Sequence, residues 1–146
     1  MANPRPSFTV GIEEEYLLVN RDSRDVAIDP PAEIFELCGS VAGGGLVEPE
    51  LLRSQIEVDT RVCETVGEAR EDLARLRRLV QEAAGNYGLA PIAASTHPFA
   101  EWHLQRQTHK ARYDLLFRDM QSLARRWRHV SRICVPGWTM RPASLR

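Results

Sequence analysis

The sequence predicts one α+β domain of 146 residues. Residues 9–19 and 54–60 alternate apolar and polar side chains with period two, the pattern of half-buried strands. Residues 65–83 and 111–128 space their apolar side chains as amphipathic helices do. No linker rich in Pro, Gly and Ser divides the chain, and its length suffices for one real core.

The first strand is Thr9–Val19. Successive side chains of a strand point to opposite faces. Phe8, Val10, Ile12, Glu14, Tyr16 and Leu18 share the face read as the core side; Gly11, Glu13, Glu15, Leu17 and Val19 share the other. Asn20–Asp25 is a turn, and Val26–Ile28 is expected to return as a short second strand of a hairpin. Asp29-Pro30-Pro31 stops it and starts a helix over Ala32–Val41, with Ile34, Phe35, Leu37, Cys38 and Val41 on one stripe. Gly43-Gly44-Gly45 ends that helix.

From Ser54 to Thr60, Ser54, Ile56 and Val58 face one way and Gln55, Glu57 and Asp59 the other. Thr65 with Glu68 forms a capping box, opening a helix whose buried stripe is Ala69, Leu73, Leu76, Leu79, Val80 and Ala83. Gly85 and Gly88 end it. Leu89–Ser95 reads as a buried strand delivering Thr96-His97-Pro98-Phe99 into a loop. A further helix from Ala111 or Arg112 to Arg128 is expected to bury Tyr113, Leu116, Phe117, Met120, Ala124 and Trp127. Val130–Val135 opens another strand, and residues 136–146 have no period.

Composition excludes several function classes. A net charge of −1 gives no bulk attraction to nucleic acid or membrane surfaces. No apolar run approaches the roughly 20 residues of a membrane span. Residues 1–6 lack the apolar core of a signal peptide, and three cysteines without a C-x-x-C pair argue for a reducing cytoplasm. There is no phosphate-cradling P-loop, no G-x-S-x-G elbow and no dinucleotide fingerprint.

The chemistry-bearing residues are the acids. Glu13 and Glu15 sit on one strand face, about 7 Å apart at a rise of about 3.3 Å per residue. Glu57 lies on the polar face of the second acidic strand, with Glu50 seven residues earlier. Oxygen-only clusters suit a hard cation such as Mg²⁺; a solvated strand face is the alternative. The arginines of the last helix could bind phosphate or lie on a solvated face, and His103 and His109 are too poorly spaced for a metal pair.

These motifs resemble a family. Thr9–Val19 is similar to the opening strand of the type 2 glutamate–cysteine ligases, also called carboxylate–amine ligases. Gln55–Thr60 with Cys63 is similar to their second acidic strand, and Thr96–Phe99, Trp102 and Arg112-Tyr113 to their middle segment. The resemblance covers residues 7–134. It implies a glutamine-synthetase-like domain, with a mostly antiparallel sheet curved around a site for Mg²⁺ and ATP. It also implies a reaction: ATP phosphorylates the γ-carboxyl of glutamate, and the amine of cysteine or another amine attacks the acyl phosphate to form an amide. Glu13 and Glu15 match the family's metal-binding pair, Glu57 its second-strand acid, and Glu50 a less secure fourth. Gln55, Thr96 and His97 are substrate-binding candidates; no catalytic residue is assigned.

The chain departs from the pattern after residue 134. The family's Gly-x-His-Val-His-Val-Gly segment is expected there, and Val135-Pro136-Gly137-Trp138-Thr139-Met140 stands instead. Its codons, read in a shifted frame, permit the Gly-Met-Asp-Asp expected after the histidine segment. The expectation is an N-terminal part of the ligase domain over residues 1–134, an out-of-frame tail over 135–146, and no turnover by this chain alone. An exposed strand edge at 130–134 leaves association into a homo-oligomer open. The other function class is a non-catalytic metal-binding remnant or a small α+β binding domain.

Overall fold

The computed structural model describes residues 8–43, 46–94 and 96–119. The architecture is α+β. Strands β1 (Glu13–Asn20), β2 (Val47–Pro49), β3 (Gln55–Asp59) and β4 (Leu89–Ile92) form an antiparallel sheet in the order β2-β3-β1-β4. Helices α1 (Ala32–Ala42) and α2 (Val66–Gly85) pack on it and on each other, and α3 (Ala111–Asp119) follows a short 3₁₀ turn at Trp102–Leu104.

Both packed helices form for local reasons. Thr65 caps α2 by accepting from the Glu68 N–H at 3.2 Å, and the Glu68 carboxylate accepts from the Glu64 N–H at 2.9 Å. The reciprocal bond of the capping box thus reaches one residue before the cap. Gly43, at φ 93°, ends α1 in a conformation that L side chains rarely adopt, and Gly88, at φ 69°, turns the chain from α2 into β4.

The core lies between one sheet face and the two helices. It joins Tyr16, Leu18, Ile56 and Val58 to Ile34 and Cys38 of α1 and to Leu73, Leu76, Val80 and Ala83 of α2. Asp72 is buried in α2 as well, accepting from the Arg61 N–H at 2.8 Å and from Arg75 Nε and Nη2 at 3.0 and 2.9 Å. Those bonds satisfy a carboxylate that burial alone would penalise.

Several expectations are corrected. The regular first strand begins at Glu13, and Phe8 is exposed; before Glu13 only a single bridge joins Val10 to Cys63. The Val26–Ile28 return strand is reduced to one bridge, Val19 to Val26, because it meets β1 on the edge that β3 already pairs as far as Leu17, with the Leu18 N–H donating to the Ser54 carbonyl, so only the end of β1 is left to it. Leu37 and Val41 are exposed, so the stripe of α1 is narrower than its apolar composition suggested. Leu17 and Val19 are buried, so the second half of β1 is covered on both faces. In α3 Tyr113 is buried but Leu116 is exposed. The predicted helix beyond residue 119, the 130–135 strand and the 135–146 tail lie outside the described residues.

Candidate metal centre

The sheet register builds the acidic site. Antiparallel pairing sets Glu13 opposite Asp59, Glu15 opposite Glu57, and Glu57 in turn opposite Glu48 on β2. Directly opposed residues share a face with Cβ atoms about 5 Å apart, and like charges there repel. The face away from the core therefore carries a row of carboxylates across three strands. Glu14 and Tyr16 point the other way, where the Glu14 carboxylate accepts from Arg77 of α2 and from the Tyr16 hydroxyl.

Glu50 lies just past β2, in the turn leading to β3, where its N–H donates to the Gln55 carbonyl at 3.3 Å. It completes a group of three: carboxylate oxygens of Glu15, Glu50 and Glu57 all lie within 4.8 Å of one another. Glu13 is on the same face, outside that group, and adds its negative charge to the field at Glu15 and Glu57.

The electrostatics follow from this crowding. At a separation near 4.8 Å and an effective dielectric of about 20, each carboxylate pair repels by roughly 3–4 kcal/mol. Burial first, then the charges of Glu50, Asp59, Glu13 and Glu15, push the Glu57 carboxyl up to about 7. Burial, Glu50 and Glu13 raise Glu15.

The donor set fits a hard divalent cation. Two oxygens on opposite sides of one ion are separated by about twice the metal–oxygen distance, about 4.2 Å for Mg²⁺ and about 5 Å for Ca²⁺. A triad within 4.8 Å can converge on one ion with small side-chain movements. Three carboxylates would supply half of an octahedral shell and leave the rest to water or phosphate oxygens, as Mg²⁺ prefers.

One segment rims this face. Lys110 Nζ donates to Glu48 Oε2 at 2.8 Å. The Tyr113 hydroxyl donates to Glu50 Oε2 at 2.5 Å, and Arg112 Nη2 lies 3.4 Å from the same oxygen. The Arg112 guanidinium also donates to the Tyr113 hydroxyl and lies over the Tyr113 ring, 4.6 Å from its centroid. Burial, then the bond to Glu50, raises the Tyr113 phenol. Arg112-Tyr113 is legible in sequence only as a motif. Its partner Glu50 is more than 60 residues away, and no local pattern links them.

The remaining candidates lie apart from the triad or serve the backbone. Gln55 Oε1 accepts from the Leu52 N–H at 3.0 Å, closing the turn into β3. His97 Nε2 donates to the Arg24 carbonyl at 2.8 Å, and its ring meets Phe99 edge-on at 4.4 Å. His97 Nδ1 is buried without a hydrogen-bond partner among the described residues, and His97 is not a member of the carboxylate group. Thr96 is half-buried in the same loop.

Comparison with known proteins identifies the family. The sequence model of glutamate–cysteine ligase family 2 matches residues 9–131. Relatives named "Putative glutamate--cysteine ligase 2" include one from Rhodospirillum rubrum, 56% identical over 124 residues, covering 83% of this chain and 32% of that protein. One from Jannaschia sp. is 49% identical over 119 residues, 82% of this chain and 31% of its own length. One from Pseudomonas putida is 41% identical over 118 residues, 81% and 32% respectively. The matched region thus spans about a third of the length of these relatives. The family match takes in β1, β3, the Thr96–Phe99 loop and the Lys110–Tyr113 segment alike, so every part of the acidic centre lies inside it: the chain belongs to glutamate–cysteine ligase family 2.

Proposed function

We propose that this chain carries one wall of the active site of an ATP-dependent carboxylate–amine ligase. In this reading the enzyme joins the γ-carboxyl of glutamate to the amine of cysteine through an acyl phosphate. The observation that carries the reading is the convergence of Glu15, Glu50 and Glu57 from three segments onto one sheet face. Glu15, Glu50 and Glu57 would hold Mg²⁺, with Glu13 beside them adding charge or a further ligand. Bound there, the ion supplies charge screening for the phosphates of ATP. The protein's part is to keep the carboxylates convergent before the nucleotide arrives, so that little reorganisation remains at the moment of reaction.

The sheet would form part of a glutamine-synthetase-like curved wall, working in the cytoplasm on small-molecule substrates. Among the described residues no helix is long and apolar enough to cross a membrane. Acyl transfer needs nucleotide, carboxylate and amine positioned together. We read the 146-residue chain as inactive alone, and residues 135–146 as an out-of-frame tail. Resequencing the locus tests the tail reading.

Function is tested by a chimera of residues 1–131 joined to the remaining two-thirds of the Rhodospirillum rubrum relative. It should release ADP only with Mg²⁺, glutamate and cysteine together, and lose that activity on Glu57→Gln. The unfused chain should release none. ADP release indifferent to glutamate and cysteine would overturn the substrate assignment; retention of activity by Glu57→Gln would overturn the site.

A further inference from the structure

We propose that Tyr113 is a positioning residue of the cation site: its hydroxyl, backed by Arg112, holds the Glu50 carboxylate against Glu15 and Glu57. This rests on the metal reading above and goes beyond it by assigning a residue that ligates nothing.

Glu15 and Glu57 need no such help. Both lie on paired strands near the middle of the sheet, so the ladder fixes their Cβ atoms on one face. Glu50 sits past the end of β2, and its side chain approaches two like charges. Repulsion favours its swinging outward. Two contacts oppose this: the Tyr113 hydroxyl at 2.5 Å, from a residue only 5% exposed, and the largely exposed Arg112 guanidinium at 3.4 Å. Arg112 donates to that hydroxyl and lies across the ring, so the phenolic proton is left to point at Glu50.

The kind of donor matters. The Tyr113 hydroxyl is the shorter contact and is uncharged. Arg112 Nη2, 3.4 Å from the same Glu50 oxygen and largely exposed, adds only a longer, solvent-screened ion pair, so much of the Glu50 charge and its other lone pairs stay available to a cation. Lys110 does the opposite three residues earlier. Glu48 shares the acidic face, directly opposite Glu57, yet its carboxylate is taken by the Lys110 ammonium at 2.8 Å and it stands outside the triad. The short stretch 110–113 thus pairs Glu48 closely with a cation and holds Glu50 mainly through a neutral hydroxyl.

The test is Mn²⁺ titration of the metal-free 146-residue chain, read by the loss of the free-ion EPR signal, with Tyr113→Phe, Glu50→Gln and the double variant. Loss of one hydrogen bond to a charged group predicts an increase in Kd of about tenfold for Tyr113→Phe in the native background. In the Glu50→Gln background the same change should alter Kd by less than about twofold, because the group it positions is already lost. Tyr113→Met serves as a second hydroxyl-free variant should the Phe variant not fold. Native Mn²⁺ affinity in Tyr113→Phe, or an equal loss in both backgrounds, overturns the positioning role while the metal site stands. Absence of Mn²⁺ binding by the native chain defeats the metal reading and this proposal with it.

Discussion

Replacing Glu57 with Gln should stabilise the protein in the absence of a cation, and only above mildly acidic pH. Glu57 is half-buried on β3, facing Glu15 across the ladder, with Glu50, Asp59 and Glu13 also bearing on it. Burial and these charges raise its carboxyl from 4.5 to about 7. A raised carboxyl means the folded state binds the proton more tightly than the unfolded chain does. Stability from that proton is fully present below pH 4.5 and is lost as pH rises through about 7. At about 1.4 kcal/mol per unit the full shift amounts to roughly 3 kcal/mol, and solvent screening of a half-exposed group reduces it to about 1–2 kcal/mol. Urea denaturation in EDTA at pH 5 and pH 8 measures this. Glu57→Gln should exceed the native chain by about 1–2 kcal/mol at pH 8 and by much less at pH 5. Saturating Mg²⁺ should reverse the order at pH 8, because binding to the folded state stabilises only a chain that binds. A Glu57→Gln variant no more stable than the native chain at pH 8 in EDTA would refute the claim that these carboxylates repel one another in the folded state.

Two further changes probe the frame behind the site. Asp72→Ala leaves the Arg61 N–H and the Arg75 guanidinium without their buried acceptor; unfolding free energy should fall by about 2–4 kcal/mol in urea. Arg77→Leu strips Glu14 of its cation. Burial alone would raise Glu14, but its hydrogen bonds to Arg77 and Tyr16 and the Arg77 charge hold it below its usual value. That pairing stabilises the fold at neutral pH and its contribution is lost as pH falls through the carboxylate range. The variant should therefore lose about 1–2 kcal/mol at pH 7 and little at pH 3, half-exposure of Arg77 limiting the effect.

What the sequence determined by itself was periodicity and its punctuation. The alternation in residues 54–60 places Glu57 and Asp59 away from the core, and the helical spacing of Ala69, Leu73, Leu76, Val80 and Ala83 marks the buried face of α2. Thr65 and Glu68 announce that helix, and Gly43 announces the end of α1. These are properties of chain segments a few residues long, set by side-chain direction and capping. Parity likewise places Glu13 and Glu15 together, but it cannot say what faces them.

Only the tertiary structure decided the rest. Pairing Glu15 with Glu57, and Glu57 with Glu48, depends on the register of β1, β3 and β2, which no single strand encodes. A shift of one residue would have sent the acids to the core face. The return strand at Val26–Ile28 was locally plausible and gave way because β3, arriving from beyond α1, takes most of the same edge of β1. Leu37 and Val41 are apolar, yet nothing in the described fold covers them, since the amount of sheet available, and not the composition of α1, sets the width of its buried stripe. Which carboxylate is left for a cation is likewise a long-range outcome. Lys110 reaches Glu48 and Tyr113 reaches Glu50 across 62 and 63 residues, because the chain entering α3 passes over the rim of an acidic sheet face.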